Sequence, residues 1–156
     1  MAPRRKPRVL LAEDELHCRV LMKAVLGSIS CEVVGEATTG VEAVELYRKT
    51  KPDLMFLDIN MPLKTGDEVL REILVEFPMA FIIVLTSVSD AQSIMDCISL
   101  GAMSYIRKDT PVPEIKSIIR DAWQMFLQRQ NALTQKTQPD PAAHGVERKL
   151  KIASHG

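Results

Sequence analysis

The 156-residue chain has no C-x-x-C pair, no G-x-G-x-x-G and no G-x-x-x-x-G-K-[ST], and each gap removes a class of chemistry. Its three cysteines, Cys18, Cys31 and Cys97, are odd in number and far apart. They match neither a zinc-ligand spacing nor a disulfide framework, and they read as small buried thiols of a reducing compartment. The missing glycine-rich loops weigh against a nucleotide cradle. No apolar run approaches the roughly 20 residues of a membrane span. The basic start is followed by "VLLAED", too short for a signal-peptide core and without a cleavage site behind it, so the expected location is the cytoplasm. Excess charge of one sign is missing too: the formal net charge is +0.

That zero hides an uneven distribution. Arg4, Arg5, Lys6 and Arg8 crowd the first eight residues. Residues 131–156 set Lys136, Arg148, Lys149 and Lys151 against only Asp140 and Glu147. The stretch between is therefore acidic, and the expected layout is a basic arm over 1–7, one folded domain over 8–130 and a polar, mobile tail over 131–156. The basic ends carry few aromatics and no recognition helix, which argues against direct binding to nucleic acid. "VERKLKI" in the tail could form a helical turn on a partner.

Within 8–130, strand-like and helix-like segments alternate. Short apolar runs stand at 8–12, 31–37, 52–57, 80–85 and 103–107. Helical periodicity follows each, over 16–29, 41–50, 66–77, 90–102 and 113–130. In the first helix Leu16, Val20 and Ala24 share one face, with Leu21 and Val25 beside it. Asp90 is placed as an N-cap, Gly101 as a terminator, and Pro113 in a first turn. Five β-then-α units imply parallel strands with right-handed connections, hence a doubly wound α/β sheet with helices on both faces. Ligands of such sheets bind beyond the carboxyl ends of the strands.

Those ends are chemically loaded. Strand one runs into Glu13 and Asp14, strand three into Asp58, strand four into Thr86, and strand five into Lys108. Neighbouring strands lie about 4.8 Å apart, so adjacency of strands one, three and five would gather the acids. Clustered carboxylates repel one another, and a hard divalent cation such as Mg²⁺ relieves that repulsion. With Lys108 and the Thr86 hydroxyl, the set suits a phosphoryl group. Asp58 attacks phosphorus, while cationic charge is available to the equatorial oxygens.

Here the chain resembles the receiver domains of bacterial two-component response regulators, over roughly residues 8–126. The matching pieces are "LLAEDE", "FLDINMP", Gly66 eight positions after Asp58, "VLTS" and "GAMSYIRK". The resemblance implies a flavodoxin-like, chemotaxis-regulator-like (βα)5 sheet in the order 2-1-3-4-5. It implies that Asp58 accepts a phosphoryl group from a sensor histidine kinase or a phosphotransfer protein. It gives Glu13 and Asp14 to Mg²⁺, Asp14 most directly, together with Asp58 and the main-chain carbonyl of Asn60. Thr86 and Lys108 would then hold the phosphoryl group, with Thr86 and Tyr105 as the switch pair. The face formed by the fourth helix, fifth strand and fifth helix would meet an output protein, or a second copy of the chain. No enzyme activity beyond self-phosphorylation and self-dephosphorylation is implied, and no membrane partner.

One departure stands out. The family often places proline after the lysine, in a cis peptide; here Asp109 follows Lys108, and a cis bond at that point would cost about 3 kcal/mol. The sequence leaves either isomer open. Glu15 reads as a solvated residue at a helix start, where acids are favoured anyway, and His17 as exposed. The resemblance implies that the position two after Thr86, here Val88, borders the hydrolytic water together with Asn60; an apolar side chain there cannot orient it, so the expected acyl phosphate is slow to decay. Two other readings stand beside this one. A Mg²⁺-dependent phosphohydrolase with Asp58 as nucleophile would usually carry an acid at position 60, where Asn60 stands. A flavodoxin-like cofactor module lacks its phosphate loop. The chain could also be a receiver fragment of a longer DNA-binding regulator.

Overall fold

The computed structural model describes residues 5–87 and 91–137. Expectations placed on Arg4, on Val88, on Asp90 as a cap and on the tail from 138 onward lie outside them. The strands are β1 (Arg8–Ala12), β2 (Glu32–Ala37), β3 (Leu54–Asp58), β4 (Ile82–Thr86) and β5 (Ser104–Arg107). The helices are α1 (Leu16–Ser28), α2 (Gly40–Thr50), α3 (Gly66–Glu76), α4 (Ala91–Leu100) and α5 (Val112–Thr137). All pairings are parallel, and the sheet order is β2-β1-β3-β4-β5, matching the expectation from sequence.

The three inner strands form the centre of the molecule. Every residue of β3 and β4 is buried, as befits strands covered on both sides. On one face Leu10, Met55, Leu57 and Ile82 form a continuous core with Val44, Tyr47, Leu70 and Ile73 from α2 and α3. The alternate residues Val9, Leu11, Phe56 and Ile83 point the other way, because side chains alternate along a strand, and they are equally buried. Local signals set the helix limits. Thr39 caps α2 by accepting the Glu42 N–H at 3.1 Å, and Lys51, in the left-handed region at φ 44°, ends it.

The apolar stripe of α1 differs from expectation. Leu16 (65% exposed) and Val20 (57%) face outward, and Ala24 is exposed with them. Met22, Val25 and Leu26 are the buried residues. Both stripes satisfy helical spacing, and the inward one is the more continuous, since Cys18 and Ile29 extend it at the same intervals. The thiols differ as well. Only Cys97 is buried, whereas Cys18 and Cys31 are half-buried, and all three are free.

At the amino edge of the sheet, Asp53 fastens the chain start. The Arg5 guanidinium donates to both Asp53 carboxylate oxygens, at 2.6 and 2.7 Å, and the Arg8 N–H donates to one of them at 2.8 Å. The two-pronged pairing orders a residue that charge counting alone assigns to a loose arm.

The chain divides into two compact units, Met1–Ala122 and Trp123–Gly156. In the first, α5 buries Ile115, Ile119 and Ala122. The second contains the later turns of α5, which run to Thr137, past the expected end at 130. There the rings of Trp123 and Phe126 stack with centroids 4.8 Å apart.

Candidate functional site

Three strand ends meet around one ammonium. Lys108 Nζ donates to Glu13 Oε1 at 2.9 Å, to Asp58 Oδ2 at 3.0 Å and to Glu15 Oε1 at 3.3 Å. Glu13 is 0% exposed and Asp58 1%. The β1–β3 and β3–β4 registers bring this about, pairing Ala12 with Leu57 and Asp58 with Leu85, so the residues after β1 and at the end of β3 emerge at the same level. Lys108 reaches them from the turn after β5, where its N–H donates to the Thr86 carbonyl at 2.8 Å. Among the described residues no peptide bond is cis, so the Lys108–Asp109 bond is trans.

The backbone holds both buried acids. The Asn60 N–H donates to Asp58 Oδ1 at 3.0 Å, and the Glu15 N–H donates to Glu13 Oε1 at 3.1 Å. The Glu13 N–H is bound to the Ala37 carbonyl at 2.9 Å, and the Arg19 guanidinium donates to the Glu13 carbonyl at 3.0 Å. The β1–α1 corner is thus fixed from β2 and from α1.

The corner after β3 depends on a missing side chain. The Gly66 N–H donates to the Ile59 carbonyl at 2.8 Å. A Cβ on Gly66 would lie 2.5 Å from Ile59 Cα and 2.8 Å from the Asp58 carbonyl oxygen. Both obstacles are backbone and cannot rotate away. Gly66→Ala is therefore expected to cost about 1–3 kcal/mol of stability and to displace the Asp58 carboxylate. Urea midpoints of the variant and parent check the first; an unchanged midpoint would show that the corner yields freely.

Two carboxylates with one ammonium leave the interior of the site anionic. Loss of hydration pushes the Asp58 carboxyl up to about 7. The Asn60 N–H and Lys108 work against that, and the charge of Glu13 adds to it. For Lys108 burial is the largest single influence and lowers its pKa. The hydrogen bonds to Glu13 and Asp58, with the charges of both acids, together outweigh it, so the ammonium is held above its ordinary value.

One atom argues that a divalent cation fits here. Glu13 Oε2 is fully buried and, among the described residues, is the one such side-chain polar atom without a hydrogen-bond partner. An unpaired carboxylate oxygen in that setting is costly. Carboxylate oxygens of Glu13, Asp14 and Glu15 lie within 4.8 Å of one another, an all-oxygen donor set that suits Mg²⁺.

Asp14 is exposed at the mouth of the cluster. Thr86 ends β4, buried (3% exposed), in the strand next to Asp58. Asn60 brings its peptide to the site through the bond to Asp58. Tyr105 lies outward on β5, 43% exposed, beside an open groove of about 540 Å³ lined also by Arg107, Pro111, Glu114 and Ile118. Glu15 is more than the solvated helix-start residue expected from sequence, because it shares Lys108 with the buried acids. Its place directly after the acid pair is a signal for this, but helix-start preference explains that place equally well.

Comparison with known proteins bears on the family and the fold. The response regulator receiver domain family matches residues 9–120. Protein CcdB of Bacillus subtilis is 38% identical over 109 residues, 70% of this chain and 89% of that protein. The chemotaxis protein CheY of Thermotoga maritima is 38% identical over 101 residues, 65% of this chain and 84% of its own. Among solved structures, the response regulator domain of Thermotoga maritima CheB superposes with a TM-score of 0.69 at 32% identity, covering 76% of this chain and 96% of that one. The CheX–CheY–BeF3–Mg²⁺ complex from Borrelia burgdorferi gives 0.72 at 24% identity, covering 74% and 88%.

Proposed function

The chain belongs to the response regulator receiver domain family, and from that premise we propose that it is a signalling switch thrown by phosphorylation of Asp58. The observation that carries the reading is the position of Lys108, whose ammonium joins the buried Asp58 and Glu13 across strand ends far apart in sequence. A carboxylate with that neighbour is a nucleophile whose product has a counter-ion waiting.

The donor is a phosphorylated histidine of a sensor kinase or of a phosphotransfer protein. An Asp58 oxygen forms a bond to phosphorus as the bond from phosphorus to the histidine nitrogen breaks, leaving an aspartyl phosphate and a free imidazole. Glu13, Asp14, Asp58 and the Asn60 carbonyl are the groups that would hold Mg²⁺. When bound, the cation neutralises charge on the acids and on the transferring phosphoryl group. Lys108 moves its hydrogen bonds from the acids to the phosphoryl oxygens, and Thr86 offers its hydroxyl to the same group.

Thr86 and Tyr105 lie on neighbouring strands, β4 and β5. Movement of Thr86 toward the phosphoryl group leaves room that Tyr105 fills by turning inward from its exposed position. The face of α4, β5 and α5 then changes, and an output protein or a second copy of the chain reads it. A nearly complete switch needs about 5.5 kcal/mol of differential stabilisation, a scale that several charge-assisted bonds can reach. The family is a signalling one, and catalysis by this chain is confined to its own phosphorylation and dephosphorylation. Among the described residues no helix is long and apolar enough to cross a membrane; the cytoplasm is the proposed location. The proposed organisation is an arm over 1–7, the receiver over 8–130 and a tail over 131–156 into which α5 continues.

Incubation with acetyl phosphate and Mg²⁺, followed by peptide mapping, tests the assignment. One phosphoryl group is expected, on the peptide that contains Asp58. A label elsewhere, or none, overturns it.

A further inference from the structure

Beside the acid cluster lies a second set of donors of different character. Glu15, His17 and Cys18 each present one ligand atom, and the three atoms lie within 4.8 Å of one another. Glu15 Oε2 is the hub, 3.3 Å from His17 Nε2 and 3.8 Å from Cys18 Sγ.

These separations resemble the edges of a tetrahedron around a metal ion. With Zn–N and Zn–O bonds near 2.1 Å and Zn–S near 2.3 Å, tetrahedral angles put N and O about 3.4 Å apart, and S and O about 3.6 Å apart. The two edges that meet at Glu15 Oε2 are within a few tenths of an ångström of those values, and the third, from His17 to Cys18, is no longer than 4.8 Å. The donors are a thiolate, an imidazole and a carboxylate, which favour a borderline-soft transition ion over Mg²⁺ or Ca²⁺. His17 is largely exposed, so an ion can enter from solvent and keep water as its fourth ligand.

We propose that Glu15, His17 and Cys18 form a binding site for a divalent transition ion of the Zn²⁺ class. The site differs from the hard-cation cluster in its softer donors, though Glu15 belongs to both, and it does not depend on the phosphorylation reading. As the ion binds, the Cys18 thiol releases its proton to solvent and the imidazole binds in its neutral form. The two sites share one side chain: Glu15 holds Lys108 through Oε1 and faces His17 and Cys18 through Oε2. An ion on Oε2 draws charge from the carboxylate and loosens its hold on Lys108.

Titration of the whole chain with Co²⁺ under a non-chelating reductant tests the site. The expected result is a thiolate-to-cobalt charge-transfer band that saturates at one ion per chain, is bleached by Zn²⁺, and survives excess Mg²⁺. Cys18→Ser removes the band, and His17→Ala weakens binding by about 100-fold or more, beyond the 10–100-fold typical of outer-shell partners. Cys31→Ser, Cys97→Ser and Asp58→Asn keep it, and Cys18→Ser and His17→Ala accept phosphoryl groups like the parent. Absence of a thiolate band overturns the proposal. So does a band that persists in Cys18→Ser, one unaffected in His17→Ala, or one that forms only between two chains.

Discussion

Asp58→Asn takes up no phosphoryl group from acetyl phosphate at any Mg²⁺ concentration, and in metal-free buffer above pH 7 it melts at a higher temperature than the parent chain. The first half follows from chemistry, since a carboxamide is not the nucleophile that forms an acyl phosphate. The second half follows from burial. In the folded chain the Asp58 carboxyl is pushed from 3.8 up to about 7. Between those two values the folded state holds a proton that the unfolded state releases, so the parent loses stability as pH rises through that window. Above pH 7 the full cost of a buried charge is present, and asparagine does not carry it.

A tenfold change in proton affinity is worth about 1.4 kcal/mol, which puts the stabilisation on the order of 2–4 kcal/mol above pH 7 and near zero at pH 4. Thermal melts from pH 4 to pH 8 with chelator present, alongside intact-mass measurement of phosphoryl uptake, check both halves. A stability gain independent of pH would mean that the Asp58 charge is not what strains the site.

Lys108→Met is expected to do the opposite. It keeps the unbranched stem, one atom shorter, and removes the ammonium, leaving Glu13 and Asp58 buried without their cation. Breaking a buried pair from one side typically costs about 3–5 kcal/mol. The Asp58 carboxyl, already raised, rises further once the favourable charge is gone. The loss is therefore full at pH 8, and it shrinks as pH falls and the folded state takes up a proton there. Removing one preorganised donor of this kind slows reaction by roughly 10²–10³-fold, and phosphoryl uptake should fall in that range. Urea midpoints at pH 5 and pH 8 separate electrostatics from packing: equal losses at the two values would assign the cost to the methionine's fit. The Lys108→Met loss at pH 8 should be smaller in the Asp58→Asn background than in the parent, because the two residues share one interaction.

The strand ends are readable in the sequence because a buried strand declares itself as an unbroken apolar run, and the first polar residue after it is then conspicuous. Asp58 after "LMFL" and Thr86 after "IIVL" are of this kind. Lys108 needs more, since a lysine near a strand end is common, and only the set of five ends gives it meaning. Packing between elements decides what stays hidden. In α1 the inward stripe is Met22, Val25 and Leu26, and the outward one is Leu16, Val20 and Ala24. Both repeat at helical intervals, so period alone cannot choose between them; the sheet below does. Glu15 is hidden behind an explanation that is true but incomplete. A helix start does favour acids, and only the fold brings Lys108 across to it. The half-buried state of Cys18 and Cys31 likewise depends on how their elements pack, which the spacing of cysteines does not report.

Asp53 precedes β3, whereas Asp58 ends it. The clasp of Arg5 on Asp53 therefore moors the chain start at the rim of the sheet opposite the Asp58 carboxylate. An affinity tag or a surface tether attached ahead of Arg5 leaves the approach of a bulky phosphodonor clear, and immobilised protein can be assayed as it stands.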